Sequence, residues 1–385
     1  MQRVLVVNAG SSSVKFALFD EAFVEMVSGS ATEIGGKSQL SVGGVKSPAD
    51  LPDHRAAIAA CLEALAEAGH PVGSLTAAAH RVVHGGAGLT EPCRVTPAID
   101  AAIAACIPLA PLHNPANLAA IRALGTLAPD LPQYASFDTG FHAGQPEVAI
   151  RYAIPAEAEA LGIRRYGFHG ISYDSLVHRL PKVPHRLLAL HLGNGASLCA
   201  IVNGRSVATT MGYSPLEGLT MGTRSGGIDG NAVLRLAEVY GIEAAGKLLN
   251  SQSGLKALGG ASDMRALSQA GTPEADFARA HFIYWAVRHS GSMIAAMGGI
   301  DALAFTGGIG ENDAEVRAGI MAGLSFTGLR VNIGANRENR EKLEETGSSV
   351  AAWIIPATEE IHIARQALAL MRIEGGKTDG RTAKD

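Results

Sequence analysis

The chain has 385 residues, 47% of them apolar and 18% charged, with a formal net charge of −4. That length favours two domains over one, and the apolar share is enough to bury large cores. A mildly acidic balance with no basic block argues against a nucleic-acid partner, and no apolar stretch is long enough to span a bilayer. The N-terminus lacks the apolar segment and small-residue cleavage site of a secretion signal. Four scattered cysteines, Cys61, Cys93, Cys106 and Cys199, form no CxxC pair and read as reduced thiols of a cytoplasmic protein.

In chain order, Val4–Val7 and Val14–Phe19 are apolar runs flanking Asn8-Ala9-Gly10-Ser11-Ser12-Ser13. They predict strand, tight turn, strand. Gln39–Val42 reads as a further strand. Asp53 predicts a helix cap, with the helix running through Ala68 and ending at Gly69. Ala77–Val83 predicts a buried strand. Asn114-Pro115 reads as a cap and first-turn pair opening a helix to about Leu124. Tyr134–Phe137 predicts a short strand ending at Asp138. Beyond Pro155 the pattern recurs, with a helix from Ser172 and hairpin strands over Leu187–Val202 broken at His191-Leu192-Gly193-Asn194-Gly195. A strand at Ser206–Thr210 and helices at Asn231–Tyr240 and Glu274–Met297 follow. Asp301–Phe305 predicts a strand, Asp313–Gly323 a helix, Ala351–Ile355 a strand and Thr358–Met371 the last helix.

Strands followed by helices, twice over, predict an α/β protein of two similar lobes with mixed sheets. The hinge is expected near Gly140–Pro155. The expected N-terminal lobe is 1–145 plus the C-terminal helix at about 357–373, and the expected C-terminal lobe is 146–356. The polar, Gly-containing tail 374–385 reads as disordered.

Glycine supplies 46 residues, well above the usual share of about 7%. Much of it lies in short clusters after apolar strands. Turns of this kind leave backbone N–H groups and hydroxyls facing outward, where they can hold an anion. Two of them, Asn8–Ser13 and His191–Gly195, occupy corresponding places in the two halves and predict a phosphate chain gripped between lobes. A third, Thr306-Gly307-Gly308-Ile309-Gly310-Glu311-Asn312, follows Leu303-Ala304-Phe305. It lacks GxGxxG spacing, and the chain contains no GxxxxGK[ST]. Each turn taken alone also fits an ordinary hairpin or strand–helix corner.

Seven motifs then run in order: Asn8–Lys15, His80-Arg81-Val82-Val83-His84-Gly85-Gly86, Phe137-Asp138-Thr139-Gly140-Phe141-His142, Arg165-Tyr166-Gly167-Phe168-His169-Gly170, His191–Gly195, Pro215–Gly226 and Thr306–Asn312. Together they resemble the acetokinase family, within the larger actin-like, heat-shock-ATPase and sugar-kinase fold group. The resemblance extends from Val4 to about Arg365. It implies two duplicated actin-like (ribonuclease H-like) lobes with mixed five-stranded sheets, and an interlobe ATP site. It also implies Mg²⁺ (or Mn²⁺), transfer of the ATP γ-phosphoryl group to acetate giving acetyl phosphate and ADP, closure during turnover, and a homodimer.

The family roles fall on particular positions. Arg81 would bind the substrate carboxylate, a task suited to a planar bidentate donor. Asp138 would be the active-site acid/base or an orienter of the metal and its waters. His169 and Arg224 would stabilise the transferring phosphoryl group. Asn8 and Glu359 match the metal positions, although Glu359 and Glu360 also suit a helix N-terminus without any metal. Lys15 would neutralise phosphate charge. His191, Leu192, Gly193, Asn194 and Gly195, then Asp263, Met264 and Arg265, then Gly307, Gly308, Ile309, Gly310 and Glu311 match nucleotide-contacting segments. The acyl pocket maps onto Val83, Leu112, Phe168 and Pro215, each of which also fits ordinary core. Family members commonly carry Ala at Gly140, Thr-Ser-His at Ile171-Ser172-Tyr173, and Thr-Asn-Glu-Glu at Ala357-Thr358-Glu359-Glu360. The change at Ile171, beside His169, bears on that histidine's hydrogen bonding. Two alternatives stay open: a propionate or butyrate kinase of the same family, and an actin-like ATP-dependent scaffold.

Overall fold

The computed structural model describes residues 2–379. The chain divides into two compact units, one of residues up to Gly140 with those from Thr358 onward, the other Phe141–Ala357. Each unit is built on one mixed sheet.

In the first unit the strands are β1 (Arg3–Gly10), β2 (Ser13–Asp20), β3 (Glu25–Thr32), β4 (Gln39–Val42), β5 (Val45–Pro48), β6 (Ala77–Val82), β7 (Cys93–Arg94) and β8 (Gln133–Phe137). They are ordered β5-β4-β3-β2-β1-β6-β8-β7. In the second unit β9 (Arg186–Leu192), β10 (Ala196–Val202), β11 (Arg205–Thr209), β12 (Ala302–Thr306) and β13 (Ala351–Ile354) are ordered β11-β10-β9-β12-β13. The segment β3-β2-β1-β6-β8 repeats that second order, with two antiparallel pairings followed by two parallel ones in both sheets. The duplication is therefore topological. The first sheet is nonetheless eight-stranded rather than five-stranded, because β4 and β5 extend one edge and β7 pairs antiparallel beside β8. The β4–β5 hairpin turns on Gly43-Gly44, both at positive φ.

Period-2 alternation in β1 and β2 sends Leu5, Val7, Ala9, Val14, Phe16 and Leu18 to one face. There they pack with Ile58, Leu62 and Leu65 of the helix His54–Glu67 and with Leu124 of the helix Asn114–Leu127. The opposite face carries the helix Glu359–Asp379, whose buried Ile363, Ala364, Ala367 and Leu368 form a stripe at helical spacing. In the second unit Leu187, Ala189, Cys199, Ile201, Ala302 and Ala304 make the equivalent core with Tyr173 and Leu176 of the helix Gly170–Arg179. All four cysteines carry free thiols, and burial raises Cys61 and Cys199 to about 12, which leaves them protonated and unreactive at neutral pH.

Most expected elements form within a residue or two, and Asp53 caps its helix through the Ala56 N–H. Two further expectations are corrected. The N-cap of the helix Asn114–Leu127 is His113, not Asn114. Asn114 is fully buried and turned away from the helix end: its Oδ1 accepts from the His84 backbone N–H at 3.1 Å, and its Nδ2 donates to the His84 carbonyl at 2.9 Å. The last helix runs on to Asp379 past the point where disorder is expected to begin at 374. Glu374 anchors it, accepting from the Tyr134 hydroxyl at 2.8 Å and pairing with Arg94 at 3.3 Å, so β7 and β8 hold the helix down. The rest of that expected tail, 380–385, lies outside the described residues. Finally, β3, β5 and the helices Pro97–Ala105 and Ile242–Ser251 form without a clear sequence signal. Among the described residues no helix is long and apolar enough to cross a membrane.

Candidate functional site

In the first unit β1, β6 and β8 are parallel neighbours. Asn8 lies near the end of β1, Arg81 near the end of β6, and Asp138 follows β8 directly, its N–H donating to the Val82 carbonyl. The carboxyl ends of parallel strands are where open α/β sheets place ligands. Arg81 meets Asp138 on the edge of its guanidinium: Nε lies 3.1 Å from both carboxylate oxygens and Nη2 lies 2.6 Å from Oδ2. Nη1 faces Asn8 Oδ1 at 3.5 Å, and Glu359 Oε2 stands 3.8 Å from Nε. Burial opposes the Arg81 charge, but Asp138 and then Glu359 more than offset it, so the guanidinium is held charged above its ordinary range. Glu359 goes the other way. Burial raises its carboxyl above the usual value, against the pull of Arg81, with Glu360 adding to the rise and Lys15 opposing it.

Buried amides fix these strand ends. Asn117 donates from Nδ2 to the Ala9 carbonyl at 2.7 Å and accepts at Oδ1 from the Val83 N–H at 3.0 Å, tying the ends of β1 and β6 together. Thr139 Oγ1 accepts from the Gly85 N–H at 3.2 Å. Gly140 belongs to the same packing. A β-carbon there would lie 2.6 Å from the Thr90 carbonyl oxygen, so this close approach of the loop requires glycine. Asn117→Ala would leave two buried backbone groups without partners, at about 1–3 kcal/mol each. A fall of roughly 2–6 kcal/mol in urea-unfolding stability is expected, and a change under ~1 kcal/mol would mean that water replaces the amide.

In the second unit His169 has φ +58°, a left-handed conformation uncommon outside glycine, and it caps the helix Gly170–Arg179. Its Nδ1 lies 2.8 Å from Ser197 Oγ, and its ring stacks on His191 with centroids 4.2 Å apart. His191 Nδ1 lies 2.8 Å from Ser172 Oγ. Arg224 donates from Nη1 to the Pro215 carbonyl at 3.1 Å. His169 and Arg224 converge at the second glycine turn: a β-carbon on Gly195 would lie 3.2 Å from His169 Nε2 and 3.6 Å from Arg224 Nη1. Glycine keeps that approach open. Gly222 likewise makes room for the Asn194 side chain, whose Oδ1 occupies the place of a β-carbon, while the Gly222 N–H donates to the Asn194 carbonyl.

Beside this turn lies a cavity of about 760 Å³. The candidates Gly193, Asn194, Asp263, Met264, Arg265, Gly308 and Ile309 line it, together with Ser262, Ser268, Gln269, Asn312, Asp313, Ala314 and Glu315. Its volume suits a nucleotide. Asp263 caps the helix Met264–Ala270, and its hydrogen bond from the Arg265 side chain holds its carboxyl down at about 2. Other candidates from the same segments line no part of the cavity. Leu192 is core. Glu311 accepts from the Gly307 and Ala357 N–H groups and closes the third glycine turn. The Gly310 carbonyl accepts from buried Arg317.

The acetokinase family model matches residues 3–365. The chain belongs to the acetokinase family. An acetate kinase of Rhodopseudomonas palustris is 42% identical, the alignment covering 97% of this chain and 99% of that one. The crystal structure of Porphyromonas gingivalis acetate kinase superposes with TM-score 0.89 at 34% identity over 96% of this chain and all of that one. A propionate kinase from Francisella tularensis superposes with TM-score 0.91 at 35% identity over 95% and 99%. As an acetokinase-family fold, the chain groups Asn8, Arg81, Asp138 and Glu359 in the first unit, with Lys15 exposed on β2 opposite Asn8. It groups His169, His191, Gly195, Arg224 and the cavity in the second. The four acyl-pocket candidates divide, with buried Val83 and exposed Leu112 in the first unit and buried Phe168 with Pro215 in the second. Sequence reasoning did not assign Asn117, Thr139, Ser197 or Tyr173 a role. A serine inside the apolar run Ala196–Val202, directly opposite His191 in the hairpin, was the available signal for Ser197.

Proposed function

We propose that the chain catalyses reversible transfer of the γ-phosphoryl group of ATP to acetate, giving acetyl phosphate and ADP. Membership of the acetokinase family over residues 3–365 carries this reading. In the step, a carboxylate oxygen attacks the γ-phosphorus in line and the bond to the β–γ bridging oxygen breaks. The acetate oxygen is already ionised at neutral pH, so no base has to remove a proton.

Under this reading the first unit handles the carboxylate and the metal. Arg81 binds the carboxylate, and Val83 and Leu112 are the acyl-side candidates of this unit. Both Asp138 oxygens already face Arg81, which supports a role for Asp138 in holding the guanidinium rather than in shuttling a proton. Asn8 and Glu359 would supply an amide and a carboxylate oxygen, donors suited to Mg²⁺ or Mn²⁺. When bound, the ion neutralises phosphate charge. Lys15 adds a second cation to that task. In the second unit the cavity takes the nucleotide, and His169 Nε2 with Arg224 meets charge developing on the equatorial oxygens.

The propionate kinase similarity keeps propionate as a second reading. A hydroxamate assay of the full chain with ATP and Mg²⁺, run with acetate, propionate and butyrate, separates the two. Acetate is expected to give the highest kcat/KM, with an added methylene costing about 1–3 kcal/mol in the transition state. A higher kcat/KM for propionate or butyrate would replace the acetate reading, and no acyl phosphate from any of the three would end both.

A further inference from the structure

We infer that Tyr173, acting through Ser197, is a positioning residue that fixes His169 as the Nε2–H tautomer and so makes it a hydrogen-bond donor toward the phosphoryl site. This rests on the reading of His169 given above.

Tyr173 is fully buried, on the helix that His169 caps. Its hydroxyl lies 2.6 Å from Ser197 Oγ, and Ser197 Oγ lies 2.8 Å from His169 Nδ1. Ser197 is itself fully buried and lies opposite His191 in the β9–β10 hairpin.

The direction of the chain follows from donor and acceptor arithmetic. The phenol oxygen faces the His191 backbone, whose N–H opposes the rise in the Tyr173 pKa that burial imposes. That N–H takes up an acceptor site on the phenol oxygen. The phenol proton still needs an acceptor, because a buried hydroxyl with no partner is costly. Ser197 Oγ is the side-chain atom within reach among the described residues. Tyr173 therefore donates to Ser197. The Ser197 hydroxyl, now accepting from Tyr173, donates to His169 Nδ1. A ring nitrogen that accepts cannot carry the proton, so neutral His169 carries it on Nε2. That nitrogen is the one facing Gly195 and Arg224. Stacking on His191, itself held by Ser172, fixes the ring plane, and the relay fixes the proton. The left-handed backbone at His169 is held in the same arrangement, as expected where a strained conformation serves a site.

The experiment uses the full chain labelled with ¹⁵N-histidine, with the His169 resonances assigned by comparison with His169→Gln. Long-range ¹H–¹⁵N correlation spectra distinguish the two neutral tautomers. The native protein is expected to show His169 as Nε2–H. Tyr173→Phe, which keeps the ring and removes only the hydroxyl, is expected to shift His169 toward Nδ1–H. It should also lower kcat by roughly 10–100-fold with KM for ATP and acetate within about twofold. Ser197→Ala should shift the tautomer in the same direction and serves if Tyr173→Phe folds poorly. The double variant should be no slower than the worse single one, since both break one chain. A His169 that stays Nε2–H in both variants overturns the proposal. A shifted tautomer with unchanged kcat upholds the relay and instead removes His169 from phosphoryl stabilisation.

Discussion

Exchange of Asp138 for Asn is expected to lower kcat/KM for acetate at least a hundredfold. Asp138 is 1% exposed, and both of its oxygens accept from Arg81. The amide preserves size but turns one acceptor into a donor facing the guanidinium N–H groups. It also removes the charge that most strongly offsets the burial of Arg81. Breaking one partner of a buried pair costs about 3–5 kcal/mol, because the other charge is left uncompensated. Here Glu359, 3.8 Å away, takes up part of that charge. The guanidinium is then expected to turn toward Glu359 and away from the carboxylate-binding pose. Two measurements check this: initial rates over a matrix of ATP and acetate concentrations, and urea unfolding. A holding role predicts that KM for acetate rises along with the loss of kcat, and that stability falls. A loss of less than tenfold in kcat/KM would reduce Asp138 to a turn residue. A loss in kcat alone, with KM and stability unchanged, would return it to proton transfer.

Arg224→Ala is expected to lower kcat at least a hundredfold while KM for both substrates changes little. The reason is where the charge acts. A cation that meets charge developing only in the transition state contributes to kcat and little to ground-state binding, and loss of one such donor costs about 3–4 kcal/mol. The fold should survive. Arg224 is half-buried, and its hydrogen bonds to the Pro215 carbonyl and the Met221 sulfur are peripheral to both sheet cores. Arg224→Lys should recover only part of the loss, since an ammonium keeps the charge without the planar fork. Circular dichroism and thermal midpoints confirm the fold, and single-turnover rates isolate the chemical step. Turnover within tenfold of the native chain would take Arg224 out of the mechanism.

Much of this architecture was legible from local pattern. Val4–Val7 and Leu187–Leu190 are short apolar runs, and the glycine turns after them mark both as strands of hairpins. Asp53 and Asp313 cap helices through neighbours two or three residues away, a rule that needs no knowledge of the rest of the chain. Asn114 shows where that rule fails. The same residue type at an apparent helix start is drawn off by the His84 backbone 30 residues earlier in the chain, and His113 takes the cap. The extra strands β4 and β5 were half-missed because β5, Val45–Pro48, is exposed along its length and carries no apolar alternation.

The sequence by itself determined the family, the duplicated hairpins and the identity of Arg81, Asp138, His169 and Arg224 as candidates, because short-range periodicity and motif order are written along the chain. Only the tertiary structure decided which of them touch. Arg81 and Asp138 lie 57 residues apart and meet because β6 and β8 pair in parallel and end together. Asn117 joins Ala9 to Val83 because its helix crosses beneath two strand ends. Ser197 reaches both His169 and Tyr173 because a hairpin register places it against a helix that begins with one of them and buries the other. Hydrogen bonds of this kind depend on strand order and register, which follow from how whole sheets bury their apolar faces and not from any single stretch of residues.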